Sequence, residues 1–188
     1  MTMFLILAPY GAFSLLLFVT TATISLFAAV GICLVAIVTD AVRGRSIKLL
    51  AAGSAMLFAG LGLYLLWHPA WDNSAVRLAV DTGVLTISLG SMLLRRPFTL
   101  QYAIEAVPAE TAAMPGFLRA NYFITGAWTA ATLLMLASNV AMLYLPGLPF
   151  WSGLAIAFAA RNGALYFTKW YPEYRRIKYG AAPAAARS

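Results

Sequence analysis

Charge is scarce in this chain, and most of it sits apart from the long apolar runs. Only 10% of the 188 residues are charged against 62% hydrophobic, and the mean hydropathy is +0.82. Soluble domains average about 25% charged residues, so there is too little polar surface here to cover a water-soluble globule. Cysteine is nearly absent. Cys33 alone, inside an apolar run, excludes an internal disulfide and a cysteine metal site. A single histidine, His68, leaves little material for metal ligation. No basic residue precedes the first apolar run, as one would in a secretory signal, so the spans themselves are expected to drive membrane insertion. Catalytic signatures are missing too: no Gly-x-Ser-x-Gly elbow, no phosphate loop, no His-Glu-x-x-His. Neither an enzyme nor a cofactor is expected.

What the chain does have is length of apolar sequence. Crossing the hydrocarbon core takes about 20 apolar residues, and five segments reach or approach that: 21–39, 49–67, 77–94, 121–145 and 149–169. They must be helices, because every backbone N–H and C=O has to be satisfied without water. Runs such as Leu133-Leu134-Met135-Leu136 do not alternate as barrel strands would. Residues 3–39 carry no charge, too long a run for one span and barely enough for two. Pro9 and Gly11 interrupt its first part, and Thr20, Thr21 and Thr23 offer a turn. Segment 3–18 is therefore expected as a re-entrant or shortened helix on the bundle, with a sixth full span as the alternative. Between the third and fourth spans, Pro97 can open a helix, and Phe98, Leu100, Gln101, Tyr102, Ile104 and Glu105 mix apolar and polar groups as an interfacial helix would. Pro108 and Pro115-Gly116 are expected to end it.

The basic residues give the orientation. Arg43, Arg45 and Lys48 share one connection; Arg95, Arg96 and Arg119 bracket another; Lys169, Arg175, Arg176, Lys178 and Arg187 make the tail. The alternate connections, His68 to Val76 and Pro146 to Phe150, carry no Lys or Arg. Basic loops resist translocation, which predicts a cytoplasmic face for the first set and a cytoplasmic C-terminus. Trp67, Trp71, Trp151, Trp170, Tyr171 and Tyr174 stand where amphipathic rings favour the interfaces. The net charge of +7 forms no continuous face, so no nucleic-acid partner is expected.

Polar groups inside the spans are expensive and need a reason. Arg77 and Asp81 are four apart on one helical face. They are expected as a local pair near the outer interface, the alternative being a buried proton- or ion-handling carboxylate. Arg161 falls mid-span with Gly153, Ala157 and Ala164 on its face. Small residues mark the side that packs on another helix, so Arg161 should face protein; pairing there and snorkelling to the headgroups are both open. Asn121, Thr125, Thr132 and Asn139 fall within about 40° of one another at 100° per residue, a polar stripe along the fourth span. The stripe reads as interhelical hydrogen-bond glue or as the wall of a path. A direct Asp81–Arg161 bridge would have to absorb about 10 Å of depth mismatch. Ala79, Gly83, Thr86 and Gly90 on the third span suggest close packing or dimerisation. Glu105 and Glu110 read as solvated.

Several pieces, in order, are shared with a known family: Leu7-Ala8-Pro9, Val42-Arg43-Gly44-Arg45, His68 ending the second certain span, Arg95-Arg96-Pro97 with Gln101, Asn121 opening the fourth span, and Leu145-Pro146 before Trp151. In these the chain resembles the intracellular septation protein A (YciB-type) family of bacterial inner-membrane proteins, over residues 7 to 170. Asp81 and Arg161 depart from its pattern. The resemblance implies a small multi-pass protein of septation and cell-envelope upkeep, with no established reaction.

The expected architecture is an all-α integral membrane protein: one polytopic domain over 1–179, five transmembrane helices plus the N-terminal apolar segment, and a disordered tail, 180–188. The expected function is non-enzymatic upkeep of the envelope and cell division at the inner membrane. It would act through helix and protein contacts with the bilayer, with membrane-protein partners or with further copies of itself. A small transporter or channel component using Asp81, Arg161 and the stripe is the alternative.

Overall fold

The computed structural model describes residues 3–145, 147 and 149–179. The expected disordered tail with Arg187 lies outside them, as do Pro146 and Leu148 of one connection. Eight helices and no strand make up the described residues: α1 (Met3–Leu16), α2 (Ala22–Val42), α3 (Leu49–Trp67), α4 (Asn73–Leu93), α5 (Phe98–Ile104), α6 (Ala109–Ala112), α7 (Pro115–Tyr144) and α8 (Phe150–Tyr179). Four of these, α2, α3, α4 and α7, are long and apolar enough to cross a membrane. Arg161 and Asn162 keep α8 out of that group, although its 30 residues run about 45 Å.

Local chemistry sets the helix ends. Thr21 caps α2 by accepting from the Ile24 N–H at 3.3 Å, and Thr20 closes α1 by donating to the Leu16 carbonyl at 2.8 Å. Thus α1 is one helix of 14 residues, about 21 Å long, shorter than the ~30 Å hydrocarbon core. Asp72 accepts from the Ala75 N–H at 2.7 Å, so α4 starts at Asn73, four residues before the predicted position. Pro115 does not end the preceding element; it occupies the first turn of α7, where its missing N–H and fixed φ suit a helix start. α8 runs through Pro172 to Tyr179 instead of stopping at 169. Rings four apart hold that extension, with Phe167 stacked on Tyr171 and Trp170 on Tyr174, both at 5.0 Å.

The helices pack in an open series: α1 on α2, α2 on α3, α3 on α4, α4 on α7, α7 on α8. The apolar core sits in its first half, where Phe13 of α1, Leu17 just after it, Leu26 and Cys33 of α2, Phe58 of α3 and Val80 of α4 are buried together. Gly62 and Gly83 permit close approaches between helices of this half. A methyl added at Gly62 would press on the Phe27 ring, and one at Gly83 would collide with Leu57 of α3. The small-residue face of α4 therefore serves packing within the chain at Gly83, while nothing lies within 4 Å of a methyl at Gly90.

The three basic segments meet at one end of the bundle. Ser46 and Lys48, before α3, reach Glu105, after α5, and Arg175 of α8 donates to the Gly116 carbonyl at the start of α7 at 2.6 Å. At the opposite end His68 stacks on Tyr64 at 4.2 Å and Trp71 meets the same ring edge-on at 5.0 Å.

Candidate functional site in the bundle interior

Polar residues that cannot face hydrocarbon must face one another or a shared space. Both occur here. The stripe on α7 turns inward: Asn121, Thr125 and Thr132 are buried and Asn139 is partly so. Thr125 Oγ1 meets Thr99 Oγ1 of α5 at 2.7 Å, and Thr132 donates to the Trp128 carbonyl at 2.9 Å. Asn139 donates to Asp81 Oδ2 of α4 at 2.5 Å. Asn121 donates to the Phe117 carbonyl at 3.0 Å but leaves its own buried Oδ1 without a hydrogen bond.

The shared space is a cavity of about 410 Å³ walled by α1, α4, α5, α7 and α8. Asp81, Arg77 and Arg161 all border it, with Asn121, Thr132 and Asn139; Thr125 stands behind the wall. Most of the remaining lining is apolar, including Leu7, Phe13, Val84, Ile124, Leu154 and Leu165. That volume falls within the ~300–1,000 Å³ of small-molecule sites, which combine apolar walls with a few polar groups.

The expected Arg77–Asp81 pair does not form. The Arg77 guanidinium sits 5.1 Å over the Phe18 ring, and the carboxylate turns across to Asn139 instead. Both side chains do share a helix face, but a partner on α7 sits closer to Asp81 than the next turn of its own helix. Arg161 faces the cavity as its small-residue face predicts, yet makes no ion pair or hydrogen bond among the described residues. Its charge is felt by Asp81 across the cavity and by Tyr10 of α1. No group of three or more His, Cys, Asp or Glu could hold a metal ion among the described residues.

Toward the basic end of the bundle the cavity is bordered by α5, whose Phe98, Thr99, Tyr102 and Ala103 line it. The sequence suggests an interfacial helix here; the structure tucks it beneath the bundle, with Phe98 buried. Specific bonds hold it there. The Phe98 N–H reaches Ser91 Oγ at 3.1 Å, the Leu49 N–H reaches Gln101 Oε1 at 2.6 Å, and Thr99 Oγ1 donates to the Asn121 carbonyl at 3.1 Å.

Below α5, Lys48 and Glu105 form an ion pair. Glu105 remains exposed, as the solvated reading expects, but it has a partner, and the Lys48 side chain is 1% exposed. Burial pushes the Glu105 carboxyl up, but the hydrogen bond and charge of Lys48, with Ser46 and Arg45, outweigh it and hold the group below the usual glutamate value. Burial raises the Tyr102 phenol well above its ordinary range. Asp40, at the end of α2, is 2% exposed and leaves Oδ1 without a hydrogen bond. As the first charged residue, following the uncharged run 3–39, it was visible in the sequence, but nothing local marked it as buried.

No family model, no curated protein and no solved structure matches this chain.

Proposed function

We propose that the chain is a multi-pass inner-membrane protein that binds and passes a small solute through its central cavity, as a carrier or channel component and not as an enzyme. In this reading α2, α3, α4, α7 and α8 span the bilayer and α1 is a shortened helix packed beside them. Gathering of the basic segments at one end supports a cytoplasmic C-terminus. α8 counts as a span because its Arg161 turns to the cavity and not to lipid.

One observation carries the proposal: Asp81, Arg161, Asn121, Thr132 and Asn139, drawn from three helices, border the same cavity. Interhelical glue alone would satisfy these groups with one another and leave no space between them. The envelope and septation role implied by the sequence resemblance is the competing proposal. There the surface matters, through membrane-protein partners or further copies of the chain, and the cavity is incidental.

Ala157→Trp, placed on the cavity wall, separates the two. Native mass spectrometry of wild-type protein released gently from its membrane should show a small molecule bound one to one, and Ala157→Trp should lose it. That molecule, returned to vesicles, should cross faster with wild type than with the variant. A wild type free of any small molecule, with division or cell-wall proteins co-purifying equally with both forms, would favour the scaffold.

A further inference from the structure

We infer that the cavity takes an anionic amphiphile, which enters sideways from the bilayer between α1 and α8, sets its acidic head on Arg161 and lays its tail along the apolar walls. This rests on the reading of the cavity as a solute site and names the solute class.

The route follows from the packing order. The helix series is open, α1 and α8 are its two ends, and both border the cavity. α8 packs on α7 and α1 on α2, while among the described residues α1 and α8 are not packed on each other. At the end nearest the basic segments α5 lines the cavity and is bonded in place. A guest therefore meets least protein by coming through the α1–α8 side, which faces lipid.

The sign of the head follows from the charges. Arg77, Asp81 and Arg161 are the charged residues on the lining. Two cations face one carboxylate, so positive charge is in surplus whichever protonation state Asp81 holds. Asp81 already has Asn139, and Arg77 has the Phe18 ring. Arg161 has no such partner among the described residues. It lies eleven residues along α8 from Phe150, about 17 Å from that end, too deep for water to solvate cheaply. A guanidinium held there favours a carboxylate or phosphate, whose oxygens match its planar donors.

The tail follows from the walls. Leu7 and Phe13 of α1 face Leu154 and Leu165 of α8 around the charged centre. A small aqueous anion would leave these surfaces empty; a chain of methylenes would cover them.

The test uses wild-type protein in nanodiscs of phosphatidylcholine and equilibrium binding of four probes: dodecanoate, dodecyl phosphate, dodecyltrimethylammonium and inorganic phosphate. Both anionic amphiphiles should bind one to one above the empty-disc background. Arg161→Gln should weaken them at least about tenfold, the loss expected for one charge-assisted hydrogen bond, and Arg161→Lys should lose less. Asp81→Asn should act in the opposite direction and tighten anion binding, so the proposal stays testable even where Arg161→Gln fails to fold. A brominated dodecanoate should quench Trp128, which borders the cavity, and lose that part of its effect in Trp128→Phe.

Equal or tighter binding of the dodecyl cation would overturn the anionic class and leave the solute-site reading standing. Inorganic phosphate binding as well as dodecyl phosphate would overturn the amphiphile. Anion binding indifferent to both Arg161→Gln and Asp81→Asn would remove Arg161 from the site. No binding of any probe would overturn this inference; only if the released wild-type protein also proved empty would the solute-site reading fall with it.

Discussion

Asn139 on α7 donates a 2.5 Å hydrogen bond to the Asp81 carboxylate on α4. Their α-carbons belong to different helices 58 residues apart in sequence, so the bond ties two elements as well as two side chains. An acidic oxygen beside a low-dielectric cavity is costly when left alone. Asn139→Leu keeps the volume and removes the donor. It should destabilise the protein by about 1–3 kcal/mol, with a smaller loss when Asp81→Asn is present as well. Cys33 provides the readout, since its buried thiol reacts with a maleimide dye only as the bundle opens on heating. An unchanged midpoint for Asn139→Leu would mean the bond contributes nothing.

A second prediction concerns acid. Lys48 is 1% exposed and Glu105 26% exposed, so breaking the pair from the glutamate side strands the more deeply buried charge. Glu105→Ala should therefore destabilise more than Lys48→Met at neutral pH, although less than the ~3–5 kcal/mol of a fully buried pair. The Glu105 carboxyl titrates below its ordinary value of 4.5 in the fold. Its contribution is whole above that value and disappears as pH falls through the lower folded value. Wild type should thus lose stability over this acid range more steeply than Glu105→Gln. Parallel curves would show that the ion pair adds nothing to the fold.

How far these features were legible depends on how local their causes are. The bounds of α3 follow from an uninterrupted apolar run between two polar connections, and the structure places it at Leu49–Trp67. The inward turn of the α7 stripe was legible for a similar reason: Asn121, Thr125, Thr132 and Asn139 repeat at helical spacing and hydrocarbon offers them no partner. The seat of α5 was not legible. Its mixed residues suit an interface equally well, and what holds it are bonds to Ser91, on the preceding helix, and to Leu49 and Asn121, 52 and 22 residues from their partners. Asp81 shows the same limit, since helical spacing finds Arg77 and is blind to an asparagine on another helix.

The glycines of α4 make a paired prediction. Gly83 and Gly90 are seven apart and look equivalent in sequence, but only Gly83 abuts a neighbour, Leu57 of α3. Gly83→Val forces α3 and α4 apart and should cost about 1–3 kcal/mol, the usual range for overpacking. Gly90→Ala meets open space and gains helix propensity, so it should be neutral or stabilising by up to about 1 kcal/mol. Thermal midpoints of the two variants in the same detergent decide it. A destabilised Gly90→Ala would instead point to a partner helix against that face.

Topology gives the prediction with the widest consequences. Ser46, Ala113 and Ile177 are exposed neighbours of the three basic segments, and Ser74 is exposed at the start of α4, at the other end. Single cysteines at these positions, in a Cys33→Ala background, leave every arginine and lysine in place, so the charges that set orientation are undisturbed. A membrane-impermeant maleimide applied to intact cells should label Ser74→Cys alone; the other three should react only after the membrane is opened. The pattern tests two steps separately. If all four report the expected pairing of sides but with inside and outside exchanged, the bundle is right and the basic segments do not govern its insertion. If Ile177→Cys labels with Ser74→Cys, α8 does not cross. Arg161 then faces the cavity from a helix lying at the surface, its depth in the bilayer disappears, and the argument for a lipid-borne anion loses its ground.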